Sequence, residues 1–336
     1  MKVILIFLLA IFLVFIIFKS FFKRPKKEIE EEQDNLEPNI VVTEKCNANC
    51  IYCLARGEDR LMSPKRIEYI IKSGFQTLMF EGGEPLLFQG LEKLISNAVS
   101  AGVPNIIILT KGILLNDKRL NSLVKAGATH FHFNFPAHIK KEHELITGIP
   151  GMFERQIDAI GRTSKIKNAA VLVCVINKIN YKFLPEYVRF VKANFPQIFY
   201  IEFNFIKVMG RVKDRHYLVP KLSSAAEYLK KAMSVAKELE IACLIDGFPL
   251  CLLEGLEAYT YDAAHLMQGD KTYAREKENV VVCNGCSLSS ICSGPRKDYV
   301  SIYGLSELKP SAKDPQNIIQ TIKNRGGQLA LNKRHS

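Results

Sequence analysis

Three cysteines fall within eight residues, Cys46, Cys50 and Cys53, spaced C-x3-C-x2-C with Tyr52 just ahead of the last. Three thiolates on one short loop can hold a soft metal centre, either an iron–sulfur cluster or zinc. A closed zinc site wants a fourth ligand close by, and the residues directly after Cys53 supply neither Cys nor His. Three ligands with one coordination position open point to a metal that binds something else as well. A second group follows far downstream: Cys283, Cys286 and Cys292 at C-x2-C-x5-C, with Cys251 about thirty residues earlier. This is again thiolate-ligand spacing on a turn-rich loop, suited to iron–sulfur or to a zinc knuckle with Cys251 as fourth ligand. Metal thiolates of this kind need a reducing compartment, and the spacings suit them better than disulfides.

The elements that must position these loops alternate in type. Apolar strand candidates are Ile40–Thr43, Thr77–Glu81, Asn105–Thr110, Thr129–Phe135, Ala169–Ile176 and Phe199–Phe205. Between them lie amphipathic stretches at Ser63–Ser73, Gly90–Ala101, Asp117–Ala126, Met152–Arg162 and Leu184–Asn194. Ser63-Pro64 is a helix start, a cap oxygen followed by Pro at the first helical position. Six strands each followed by a helix or long loop predict an α/β fold with a parallel sheet, whose ligands sit at the carboxyl ends of the strands. The Cys46 loop leaves strand one and so falls at that end. Strand two ends in Gly82-Gly83-Glu84-Pro85, where two residues without Cβ let the backbone approach a ligand closely. A plain Gly-Gly turn would look the same in isolation. Ser224–Leu239 reads as a further helix and Ala242–Ile245 as a short strand; Cys174 and Cys243 lie in apolar runs and read as buried small hydrophobes.

C-x3-C-x2-C after a first strand, then Gly-Gly-Glu-Pro after the second, resembles the radical S-adenosylmethionine (radical SAM) superfamily. That resemblance implies a partial (β/α)6 parallel barrel. It implies that Cys46, Cys50 and Cys53 bind a [4Fe–4S] cluster whose fourth iron chelates SAM. Reductive cleavage of SAM then gives a 5′-deoxyadenosyl radical that abstracts hydrogen from a substrate. Gly82, Gly83 and Glu84 would hold the methionine part, with Tyr52 beside the cluster and Asn134 near the ribose. Thr110-Lys111-Gly112, Asn177, Asn180 and Met209-Gly210-Arg211 fall where relatives carry polar groups near SAM or substrate. His143 reads as a surface or packing residue. The second cysteine group, with Gly294, Tyr299 and Tyr303-Gly304 downstream, resembles the twitch relative of the SPASM extension. It implies one auxiliary [4Fe–4S] cluster on Cys251, Cys283, Cys286 and Cys292; Arg296 stands where a full SPASM region would have a further Cys. Relatives with auxiliary clusters often modify peptides, and such an enzyme needs a reductant such as ferredoxin or flavodoxin.

The chain begins with sixteen uncharged apolar residues, Val3 to Phe18, which with Phe21 and Phe22 approach the length of a bilayer helix. No small-residue cleavage site follows. Residues 1–22 therefore read as a single-pass membrane anchor, and Lys19, Lys23, Arg24, Lys26 and Lys27 after it place the catalytic part in the cytoplasm. Residues 23–39 read as a charged linker, 40–215 as the core, 216–305 as the auxiliary domain and 306–336 as a loose tail. The net charge of +12, from 46 Lys and Arg against 34 Asp and Glu, fits a solvated surface, anionic lipid headgroups or an acidic substrate. No nucleic-acid partner is expected, because no basic run is interleaved with aromatics. A lipid or other membrane-resident substrate is the alternative to a peptide. From a different class, a membrane-tethered electron carrier or a structural zinc protein would need no Gly-Gly-Glu-Pro turn.

Overall fold

Each apolar run becomes a short strand, and each amphipathic stretch packs its apolar stripe on the sheet. In the computed structural model, residues 37–56, 60–267, 269 and 275–325 are described. The strands are β1 (Asn39–Thr43), β2 (Thr77–Gly82), β3 (Asn105–Thr110), β4 (His130–Asn134), β5 (Ala170–Ile176), β6 (Tyr200–Phe205) and β7 (Cys243–Asp246). They form one sheet in sequence order, every neighbouring pair parallel, with β1 and β7 at its edges. This winding in one direction makes an open, barrel-like sheet with helices outside.

Those helices are α1 (Pro64–Ile71), α2 (Leu91–Ser100), α3 (Asp117–Ala126), α4 (Lys140–Thr147), α5 (Met152–Ser164), α6 (Leu184–Asn194) and α7 (Leu222–Glu238). The Ser63 hydroxyl accepts from Arg66 N at 3.2 Å, the cap that Ser-Pro foretold. α1 buries Ile67, Ile70 and Ile71 along one stripe; truncating one such side chain to Ala costs about 2–5 kcal/mol.

The sheet has seven strands where six were expected. The short strand expected at Ala242–Ile245 forms over Cys243–Asp246 and pairs with β6 from Ile201↔Cys243 to Asn204↔Asp246. Its preceding helix α7 is the amphipathic crossover that a further parallel strand requires. Beyond β7 come α8 (Tyr261–Met267), α9 (Lys297–Tyr303) and α10 (Pro315–Arg325). The described residues from Pro38 onward form one compact unit. The apolar segment expected to be an anchor lies outside the described residues. Among the described residues, no helix is long and apolar enough to cross a membrane.

The two faces of the sheet differ. Phe135 packs on Phe153 of α5 and on Tyr187 and Phe190 of α6, and Phe203 packs on Tyr187. Phe131, Phe133, Phe135 and Phe203 thus face the helices. By the alternation of a strand, His132, Asn134, Glu202 and Asn204 face the concave interior.

Candidate functional site

The Cys46 loop is held to the rest of the mouth by its backbone. Asn49 N donates to Thr147 O and Ile51 N to Ile146 O, both at 2.9 Å, tying the loop to the end of α4. From the segment after β6, Arg211 donates to Asn49 O, Asn49 Oδ1 and Cys50 O, and Arg215 donates to Ile51 O. From the other side, Gly83 N donates to Thr43 O at 2.7 Å and Glu84 N to Lys45 O at 2.8 Å. The glycines therefore admit close approach, but to this loop: a Cβ on Gly82 would lie 2.2 Å from Thr43 O, and one on Gly83 2.3 Å from Lys45 O. Met209-Gly210-Arg211, expected near SAM or substrate, likewise acts on the loop backbone.

Around the thiols the surroundings are apolar: Ala48, Ile113, Ile149 and Met152 pack with Cys46, Cys50 and Cys53. Ala48 N donates to Cys46 Sγ at 3.4 Å, and burial pushes the Cys46 thiol up. Three thiols on one pinned loop, one of them met by a backbone N–H, fit an iron–sulfur cluster, whose sulfurs are stabilised by such donors.

Beside this loop a polar network crosses the mouth. Asn134 Oδ1, at the end of β4, accepts from Tyr52 Oη at 2.7 Å and from Lys111 Nζ at 2.6 Å. Gln156 of α5 donates to Lys111 O at 2.8 Å and Asn134 O at 3.2 Å. Burial raises the Tyr52 phenol far above its usual range, so it stays protonated and donates. Glu84, expected at the methionine part, is engaged within the protein. Its side chain is 1% exposed and accepts from Leu86 N, Thr110 Oγ1 and Lys111 N. It holds the β2 and β3 ends together, and burial raises its pKa against those bonds. Asn177 and Asn180 are also structural: the Asn180 amide donates to Pro136 O and Val175 O, and its carbonyl accepts from Asn177 N. His143 is buried against Phe135 and Phe153, a packing residue, and Cys174 and Cys243 are buried in strands.

The second cysteine group converges. Cys251, Cys283, Cys286 and Cys292 line one pocket with Pro249, Leu288 and Pro310. Backbone donors meet its sulfurs: Ser311 N to Cys286 at 3.3 Å and Gly294 N to Cys292 at 3.4 Å. Burial raises Cys251 and pushes Cys292 up to about 11, so thiolates here call for a cation to bind. Among the described residues no group of three or more His, Cys, Asp or Glu is gathered tightly enough for a single metal ion. Four thiols converging on one pocket supply a ligand set for an iron–sulfur cluster or for zinc.

Two features escaped the sequence reading. Glu202 and His132 face each other inside the barrel, Oε2 to Nδ1 at 3.7 Å. Lys277, 5% exposed, bridges Asp246 at the end of β7 and Asp262 of α8. The first left a trace, since β4 and β6 carry a polar residue at alternate positions in otherwise apolar runs. Lys277 left none, because its partners lie 31 and 15 residues away.

An open, barrel-like parallel sheet whose first strand runs into a three-thiol loop defines an α/β protein with its cysteines at the carboxyl ends of the strands. Residues 40–191, a little under half of the chain, match the radical SAM superfamily model. A probable GTP 3′,8-cyclase of Methanococcus vannielii is 33% identical over 117 residues, which are 32% of this chain and 39% of that relative. The match therefore spans about two-fifths of that relative's length. Among solved structures, anSMEcpe with bound AdoMet aligns with a TM-score of 0.56 at 13% identity, over 86% of this chain and 96% of that one. Streptococcus suis SuiB bound to precursor peptide SuiA aligns at 0.52 and 18% identity, over 70% of this chain and 54% of that one. These two likenesses are of fold.

Proposed function

We propose that this protein is a radical SAM enzyme with two iron–sulfur sites. The observation that carries the reading is the pairing of a radical SAM domain with a second, separate pocket lined by four thiols. Cys46, Cys50 and Cys53 would hold the [4Fe–4S] cluster that cleaves SAM, and Cys251, Cys283, Cys286 and Cys292 an auxiliary one of twitch type. Bound together, cluster and SAM supply a hydrogen-abstracting radical. The chain's own work is to position and to exclude water. Arg211, Arg215, Gly82 and Gly83 fix the loop. Tyr52, Lys111 and Asn134 present polar atoms to the cofactor, and Glu84 braces the strand ends beneath them. We assign SAM chemistry to residues 40–215, the second thiol site to 216–305, and a tail to 306–336.

The substrate we propose is a peptide. The relatives named GTP 3′,8-cyclase suggest a nucleotide, but the interior wall built by β6 and β7 carries the hydrogen-bond acceptors of Glu202, Asn204 and Asp246, which suit the N–H groups of a peptide. SuiB, described with its precursor peptide, agrees in fold. The run Val3–Phe18 and the basic residues after it support a single-pass anchor (residues 1–22) with a short linker (23–39) and a cytoplasmic catalytic part. A small electron carrier such as ferredoxin or flavodoxin would be the reductant.

Anaerobic reconstitution tests the reading. About eight irons per chain are expected, with 5′-deoxyadenosine formed on adding dithionite and SAM. A Cys46/Cys50/Cys53→Ala variant should keep about four irons and lose that product. About four irons with one zinc would make the second site structural. Unchanged activity on a soluble peptide after deletion of residues 1–38 would remove the case for a lipid substrate.

A further inference from the structure

Inside the barrel one carboxyl stands opposite the polar network at the cofactor end. The register Asn134↔Val173↔Glu202 puts Glu202 in the same layer as Asn134, two strands away. One step toward the mouth, Asn204 pairs with Asp246 of β7. The Glu202 side chain retains 13% exposure and that of Asp246 21%, so both can be reached from the interior. Asn204 Nδ2 donates to Glu202 Oε1 at 2.7 Å, and Tyr261 of α8 also hydrogen-bonds to Glu202.

Two buried atoms at this carboxyl have no partner. His132 is 2% exposed and its Nδ1 is unbonded, 3.7 Å from Glu202 Oε2 and too far to share a proton with it. Asn204 Oδ1 is likewise buried and unbonded. Buried polar atoms are normally paired, and each exception asks for a cause. Here the surplus is of acceptors: the Glu202 carboxyl, Asn204 Oδ1 and the outer edge of Asp246. The nearby ammonium, Lys277, is engaged by Asp246 and Asp262.

We infer that Glu202 and Asn204 form the recognition site for a donor-rich, cationic nitrogen on the substrate, an amino or guanidino group. This deepens the enzyme reading above and rests on it. A guanidinium offers several N–H donors in a fixed fork and is matched by a carboxylate beside an amide oxygen.

The site is pH-dependent in a defined direction. Glu202 is flanked by neutral His132 on β4, by Tyr200, which bonds to His132, by Asp246 on β7 and by Tyr261 on α8. Burial pushes the Glu202 carboxyl up to about 7. It gains charge, and cation affinity rises, as pH climbs through that value.

The test uses the full chain, reconstituted and saturated with SAM, with agmatine as the cationic probe and GTP as the anionic one. Saturation-transfer NMR reads agmatine binding. Binding should tighten about ten-fold from about pH 6 to about pH 8, the change in the ionised fraction of a group titrating near 7. Glu202→Gln should abolish that dependence, and Asn204→Ala should weaken binding while keeping it. Absent or pH-independent agmatine binding, equal binding by Glu202→Gln, or displacement by GTP overturns the inference. On the same wild-type samples, failure to bind SAM or to form 5′-deoxyadenosine would instead sink the enzyme reading.

Discussion

Arg211 clamps Asn49: its guanidinium donates to the Asn49 backbone carbonyl at 3.0 Å and to its side-chain Oδ1 at 2.6 Å. The pair joins the segment after β6 to the middle of the cysteine loop, across the whole mouth of the open barrel. A loop that must present three sulfurs in a fixed arrangement is thus fastened at the strand it leaves and, through Ile146, Thr147, Arg211 and Arg215, at elements 95 to 164 residues away.

Replacing Arg211 should therefore loosen the thiols without unfolding the sheet. Charge-assisted hydrogen bonds contribute about 1.5–3 kcal/mol each. Arg211→Ala is expected to lower iron retained at the Cys46 loop after gel filtration while the melting temperature changes little. Arg211→Lys should recover only part of it, since one ammonium cannot reproduce the fork. Full iron retention in Arg211→Ala would show that the remaining ties suffice.

The glycines of the β2 end give a sharper contrast. A Cβ on Gly83 would lie 2.3 Å from Lys45 O and 2.6 Å from Glu44 O, backbone atoms that cannot move aside cheaply. Gly83→Ala should destabilise by about 1–3 kcal/mol or more in urea unfolding, the usual range for overpacking. Gly161, within α5, has open space where its Cβ would be, and Gly161→Ala should stabilise by roughly 0.5–1 kcal/mol. Equal effects would refute the close-approach account.

Lys111 and Tyr52 share one acceptor, Asn134 Oδ1. If the network fixes Asn134 for SAM, Lys111→Met should weaken SAM binding by about ten-fold or more. Tyr52→Phe, which removes a neutral bond, should weaken it by only a few-fold, about 1 kcal/mol. Calorimetric titration of the reconstituted chain separates the two; identical affinities in all three proteins would remove the network from cofactor binding.

Much of the fold is legible in the sequence. The strands and helices declared themselves by period, and α3 and α6 fall on their expected residues, because each packs one continuous apolar stripe. Both cysteine groups stand out in the sequence too, since residues on one turn are neighbours in the chain. What was not legible is what the fold brings from afar. Glu84 reads as a ligand in a motif, yet Thr110 and Lys111, a full β-α unit later, engage its oxygens. The seventh strand was seen as a segment but not as part of the sheet, because four residues carry no record of which edge they join.

Glu202 also makes stability depend on pH. Its carboxyl is pushed up from 4.5 to about 7 by burial, so the folded state binds the proton more tightly than the unfolded one. That contribution is full below the unfolded value and is lost as pH rises through about 7. Glu202→Gln cannot ionise, so relative to wild type it should gain stability between about pH 5 and about pH 8, by up to roughly 3 kcal/mol. Urea unfolding of the two proteins at a series of pH values measures the difference. A difference that is flat with pH would mean that the carboxyl titrates normally.

The last expectation concerns the joint between β7 and the cysteine-bearing region. Lys277 Nζ lies 3.0 Å from Asp246 Oδ1 and 2.6 Å from Asp262 Oδ2, and its own side chain is 5% exposed. Removing the ammonium leaves two carboxyls side by side with little water, so Lys277→Met should cost about 3–5 kcal/mol, the usual result of breaking a buried pair from one side. Asp262 titrates near 6, raised chiefly by burial against the pull of Lys277. Without that cation its pKa should climb further, and the variant should regain stability as pH falls and the carboxyl is neutralised. Lys277→Met/Asp262→Asn removes one charge outright and should be more stable than the single variant at neutral pH. If the single variant melts like wild type, or the second change brings no recovery, the three groups are not coupled as their distances imply.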